Sequence, residues 1–192
     1  MEIEGELKSA ELIIEAAGWC ANEEVHDSLI SSAKEIIRPF LEKGNARALW
    51  LKASLPNLGE AAPQSEEKFD ELYNELIYKA AKGGCPEAQY RYGCNLYEQR
   101  RFEEALNQYE LAASNDYAPA QWCFGLDTLH GVGTDKSREK GLHYILLAAE
   151  QRYEYAVEFM INAYENLEHG FKENSAELKK WKDLLPYCEY RY

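Results

Sequence analysis

Positive charge is scarce in this chain: 21 Lys and Arg stand against 34 Asp and Glu, a formal charge of −13. A field of that sign repels phosphate backbones and anionic lipid, which argues against nucleic acid or a membrane surface as the main partner. Long apolar runs are also missing. None approaches the roughly 18 residues of a membrane span, and the N-terminal stretch MEIEGELKSAELIIEAAG puts acid where a secretory leader carries basic residues. The cysteines, Cys20, Cys85, Cys94, Cys123 and Cys188, are odd in number and never form C-x-x-C. That pattern argues against a disulfide framework and a zinc site, and for a cytoplasmic setting.

Catalytic patterns are equally thin. His26, His130, His143 and His169 are scattered, without an H-E-x-x-H pair. His26, Asp27 and Ser28 are adjacent, but neighbours on a helix point apart and cannot form a triad. Gly131-Val132-Gly133 follows a helical stretch and not a strand, so it is no phosphate cradle. The sequence is therefore read as that of a non-enzyme without cofactor or metal.

What the chain does have is alanine at fixed intervals. Ala81 and Ala88, Ala113 and Ala120, and Ala149 and Ala156 each stand seven apart, and successive copies are offset by 32 and 36 residues. Five residues beyond Ala88, Ala120 and Ala156 the chain reads Gly93, Gly125 and Ile161. Upstream, Ala48 gives a divergent first copy, with Phe40 and Leu41 in place of the alanine pair. Each copy reads as two helices: Pro119 suits a first turn, Gly131 a stop, and Asp135 or Ser137 the next N-cap. Trimmed side chains at regular places let one helix backbone approach another, so the motif marks a recurring crossing. Residues 2–20 and 23–38 add two further amphipathic helices, with Asn22 opening the second and Pro39 kinking or ending it. Ser65 starts another after the Pro/Gly-rich loop 55–69, and SAELKKWKDLLPYCEYRY supplies a last, capping helix with an aromatic tail.

AQWCFGLDTLHGVGTDKSREKGLHYILLAAEQ, residues 120–151, resembles a Sel1-like repeat: A-x-x-x-[LF]-G, a G-x-G loop, then a helix ending in A-A. AQYRYGCNLYEQRRFEEALNQYELAASND resembles the same unit with the shorter loop of a tetratricopeptide repeat. The third copy departs from the pattern, with Met160 and Ile161 where the aromatic-Gly pair would stand. The resemblance implies an all-α fold: an α-solenoid of stacked antiparallel helix pairs, roughly eight to ten helices. On this reading residues 1–192 form one domain. Its parts are an N-terminal helical pair (1–45), a divergent repeat (46–84), a repeat (85–116), a Sel1-like repeat (117–152), and a degenerate repeat with a capping helix (153–192).

The family also implies non-catalytic binding of protein, with the first helix of each pair lining a concave face. Two rows of that helix are the candidate partner-binding positions. Two beyond the register alanine stand Trp50, Tyr90, Trp122 and Glu158; nine beyond stand Asn57, Tyr97, Leu129 and Glu165, with Glu98 and His130 one further on. The aromatic row is read either as packing between neighbouring helices or as exposed contact area. Acidic clusters such as Glu66, Glu67, Asp70 and Glu71 are read either as a solvated face or as steering for a basic partner. Three functions stand open: an immunity protein that neutralises a basic toxin domain, a general adaptor or scaffold in signalling or envelope regulation, and an enzyme whose site leaves no signature.

Overall fold

A computed structural model of the protein describes residues 2–56 and 65–188, with side chains from residue 4. Asn57, most of the Pro/Gly-rich loop and the tyrosines at 190 and 192 lie outside the described residues. The described helices are α1 (Glu2–Gly18), α2 (Glu23–Leu41), α3 (Ala46–Ala53), α4 (Glu66–Lys82), α5 (Pro86–Glu98), α6 (Phe102–Ala113), α7 (Ala118–His130), α8 (Arg138–Glu150), α9 (Glu154–Glu165) and α10 (Ser175–Leu184). No strand occurs among the described residues. The fold is all-α, and its helices succeed one another in pairs. Two compact units make up the chain, residues 1–92 and 93–192.

Helix starts follow the side chains that can satisfy orphan amides. Asn22, Asn45, Ser65, Ser137 and Asn174 each accept from the backbone N–H three residues on, at 3.0–3.4 Å, each contributing about 1 kcal/mol. Ser137, not Asp135, is thus the cap of α8. Pro39 lies inside α2, which runs only two residues past it.

The ends of the second helices repeat one backbone device. Gly44, Gly84, Asp116 and Arg152 all have positive φ, between 59° and 89°, and each stands four residues before a register alanine: Ala48, Ala88, Ala120 and Ala156. The following amide in each case donates to the carbonyl five residues back, Asn45 to Phe40, Cys85 to Ala80, Tyr117 to Ala112 and Tyr153 to Ala148. This is the Schellman closure of a helix C-terminus. It recurs at Phe40 and Leu41, where the alanine pair is absent, so the repeat is carried there by backbone state and not by residue type.

The register alanines then do what their spacing requires. Ala81, Ala88, Ala113, Ala120, Ala149 and Ala156 are at most 4% exposed. In the second unit α7 and α8 come into backbone contact: a Cβ on Gly125 would stand 2.8 Å from the Gly141 carbonyl oxygen and 2.9 Å from the Ile145 amide nitrogen. A Cβ on Gly141 would stand 2.8 Å from the Gly125 carbonyl oxygen. Neither helix can carry a side chain at that crossing. Two buried glutamines tie each copy to the helix before it. Gln89 donates to the Ala81 carbonyl at 3.4 Å and Gln121 to the Ala113 carbonyl at 3.3 Å, while Gln151 donates to Gln121 at 2.8 Å.

The first unit packs Leu7, Ala10 and Ala17 of α1 against Ile30, Ala33, Ile37 and Phe40 of α2, with Ala48 and Leu51 of α3. Arg47 bridges Glu11 at 3.0 Å and Glu87 at 2.9 Å. Burial works against the Glu11 carboxylate, but Lys8 and Arg47 outweigh it and hold its pKa below the ordinary value. The second unit gathers Leu129, Ile145, Ala149, Val157, Met160 and Trp181 into one core.

Candidate functional site

The row two beyond the register alanine lies at the borders between helices. In the first unit Trp50 is half-buried and packs against both the α1–α3 core and the cluster of Ala80, Ala81, Cys85 and Ala88; Tyr90 is half-buried as well. In the second unit Trp122 is half-buried. Its ring meets Phe159 edge-on at 5.9 Å and lies 6.5 Å from the Tyr153 ring. The aromatics of this row therefore pack with part of their surface and present the remainder, and Glu158 stands exposed beyond them.

The row nine beyond the alanine divides. Tyr97 is 39% exposed, its ring edge-on to Phe102 at 4.9 Å. Glu165 is exposed and paired with Lys182 at 2.5 Å. Leu129, named above as a candidate partner-binding position, is instead 2% exposed and belongs to the core. The cause is the glycine crossing, since the Leu129 amide and Cβ would lie 2.8 Å from a Cβ on Gly141, which turns this residue toward α8. Glu98 and His130 are exposed, with His130 Nδ1 2.9 Å from the Leu126 carbonyl oxygen.

Within the second unit the structure gathers groups around these positions that the spacing argument passed over. Asp127 is half-buried on α7, three residues before His130. Burial pushes its carboxyl up to about 6, with the His130 ring pulling the other way. Burial, with Asp127 and Cys123, also raises the Tyr97 phenol above its ordinary value. Beneath them the Tyr109 hydroxyl donates to Cys94 Sγ at 3.6 Å, and burial with Cys94 and Cys123 drives that phenol far up. A lone Asp in the apolar AQWCFGLDTLH segment was the available signal. Among the described residues no three His, Cys, Asp or Glu side chains are grouped so as to hold a metal ion. The arrangement offers recognition: half-exposed rings, a carboxyl whose pKa burial raises to about 6, and exposed carboxylates on α5 and α9.

Helix pairs closed by the same left-handed turn and drawn together by small residues define an α-solenoid. Comparison with solved structures shows the fold to be that of Sel1-like repeat proteins. The chain is similar to a Sel1 repeat protein from Oxalobacter formigenes, with TM-score 0.61 and 17% identity over 80% of this chain and 61% of that one. It is also similar to a protective antigen of uropathogenic Escherichia coli displaying an SLR fold, with TM-score 0.60 and 19% identity over 94% and 45% of the two chains. A third similar structure is an immunity protein from Pseudomonas aeruginosa, with TM-score 0.56 and 20% identity over 93% and 80%. The chain thus spans less than two thirds of the first two structures. No protein-family model and no curated protein matches the sequence. No helix among the described residues is long and apolar enough to cross a membrane.

Proposed function

We propose that this protein is a non-catalytic module that binds a basic protein through the first-helix surface of its repeats, and that it serves as an immunity protein neutralising a toxin in the cytoplasm. The observation that carries the reading is the combination of half-exposed rings at Tyr97 and Trp122 with exposed carboxylates at Glu98 and Glu158, in a chain of net charge −13. Aromatics supply contact area at low entropic cost, and the surrounding acid steers a cationic partner, raising association rates by about 10- to 1000-fold at low salt. The similarity to an immunity protein over most of both chains supports the finer version.

The test is to ask whether the neighbouring gene encodes a basic toxin domain, which this reading requires, and to co-express that product with the chain and measure growth rescue, co-purification and association rate against salt. Glu98→Lys with Glu158→Lys slows association by about tenfold at low salt and little at high salt. Association equally fast at both ionic strengths, with no effect of charge reversal, would refute the steering. A stable complex without rescue of growth would favour an adaptor over an inhibitor.

A further inference from the structure

A cleft of about 290 Å³ lies among α8, α9 and α10 in the second unit; α9 is a first helix and lends Met160 and Tyr164, but none of the candidate row positions lines it. Glu139, Leu142, His143, Leu146 and Glu150 recur along α8 at helical steps and all border it, so one stripe of the helix presents apolar side chains between two carboxylates. Met160, 3% exposed, and Trp181, 1% exposed, close the floor. On the opposite rim Lys180 is already engaged, 3.6 Å from Glu177 and 4.3 Å from the centre of the Trp181 ring. Glu139 and Glu150 are exposed, with no ion-pair partner among the described residues. The Trp181 indole N–H, itself shielded from solvent, has no hydrogen-bond acceptor among the described residues, although buried indoles generally find one.

We infer that this cleft is a docking surface for a polypeptide segment that presents one apolar side chain flanked by lysine or arginine. The volume suits one large side chain and not an element of folded structure. The anchor removes the half-buried Leu142 and Leu146 from water over the Met160 and Trp181 floor, and the flanking cations meet Glu139 and Glu150. The same rim repels an acidic segment. This surface is separate from the one proposed above and does not depend on it.

The full chain, labelled with nitrogen-15, is titrated with the peptides Lys-Arg-Phe-Arg-Lys and Glu-Ser-Phe-Ser-Glu while the indole N–H signals of Trp19, Trp50, Trp122 and Trp181 are followed. The basic peptide moves the Trp181 signal saturably and leaves Trp19 and Trp50 in place. Glu139→Lys with Glu150→Lys, both at exposed positions, keeps the helical spectrum and weakens that peptide by about fivefold or more. A still Trp181 signal, an equal response to the acidic peptide, movement centred on Trp122, or undiminished affinity in the double variant would each overturn the assignment.

Discussion

Gly125→Ala probes the helix crossing directly, because the added methyl has nowhere to go. Its Cβ would stand 2.8 Å from the Gly141 carbonyl oxygen and 2.9 Å from both Ile145 Cγ1 and the Ile145 amide nitrogen. Two of these atoms are backbone and cannot rotate aside, so α7 and α8 must separate by roughly half an ångström and lose contacts along the crossing. Overpacking of this kind costs about 3 kcal/mol at its upper end, offset by the roughly 1 kcal/mol that alanine gains over glycine inside a helix. The net is a loss of about 2 kcal/mol, or roughly 4–8 °C in melting temperature for a chain of this size. Gly5→Ala is the control: it lies in α1 with nothing within 4 Å of the new methyl, so it raises stability by about 0.5–1 kcal/mol. Gly93→Ala falls between, because its methyl meets the Tyr109 ring at 2.6 Å, and a ring edge can tilt where a backbone cannot. Urea titrations followed by circular dichroism rank the three. A Gly125→Ala protein as stable as the parent, or stabilised like Gly5→Ala, would refute the close crossing.

Three further substitutions test the site and the first unit. Asp127 has a folded pKa of about 6 from burial, above its unfolded value, so its contribution is fully present below about pH 4 and lost as pH rises through 6. Asp127→Asn therefore stabilises the protein by about 1–2 kcal/mol at pH 7.5, after allowing for solvent screening, and leaves it unchanged at pH 4; a difference independent of pH in denaturant titrations would remove the buried-carboxyl explanation. Trp122→Ala strips half-buried ring contacts with Phe159 and Tyr153 and costs about 2 kcal/mol, less than a fully buried ring would. Where the protein still folds, loss of partner capture in a pull-down shows that the exposed part of the ring binds, and unchanged capture shows that it does not. Arg47→Met leaves the half-buried carboxylates of Glu11 and Glu87 without their shared cation; a loss of about 2 kcal/mol is expected, and a melting temperature equal to the parent's would show the bridge to be energetically idle.

The helices were legible because their signals are local: an Asn or Ser before an acidic or apolar turn, a stop at Gly131, and alanine where backbones must meet. The recurring left-handed turn was not, since Gly44, Gly84, Asp116 and Arg152 share a conformation and not a chemistry. Glycine at the first two positions adopts it freely, and the fixed bonds on either side impose it on the other two at a cost of about 1 kcal/mol each. The glutamine ties were visible as A-Q at 88–89 and 120–121, but their meaning depends on a carbonyl eight residues back in another helix. Leu129 was misplaced for a related reason. A fixed offset along a helix fixes an angle about its own axis, and whether that angle faces solvent depends on how closely the next helix lies. In copy 117–152 the Gly125–Gly141 contact draws α8 close and takes Leu129 into the core.

The same constraint separates the parts of a first helix that can change from those that cannot. At the α7–α8 crossing glycine is demanded by contact between backbones, and two beyond the alanine Trp50 and Trp122 are held by their packing against neighbouring helices. Ten beyond the alanine, the last turn runs out past the crossing, and there the residues are Glu98, His130 and Asn166, all exposed and chemically unlike one another. Substitution at these ends alters charge and hydrogen bonding on the surface without touching the crossing. Under the binding proposed above, such a chain exchanges partners by rewriting helix ends while its core stays fixed, because the alanine spacing that makes the fold readable constrains the crossing and leaves those ends free.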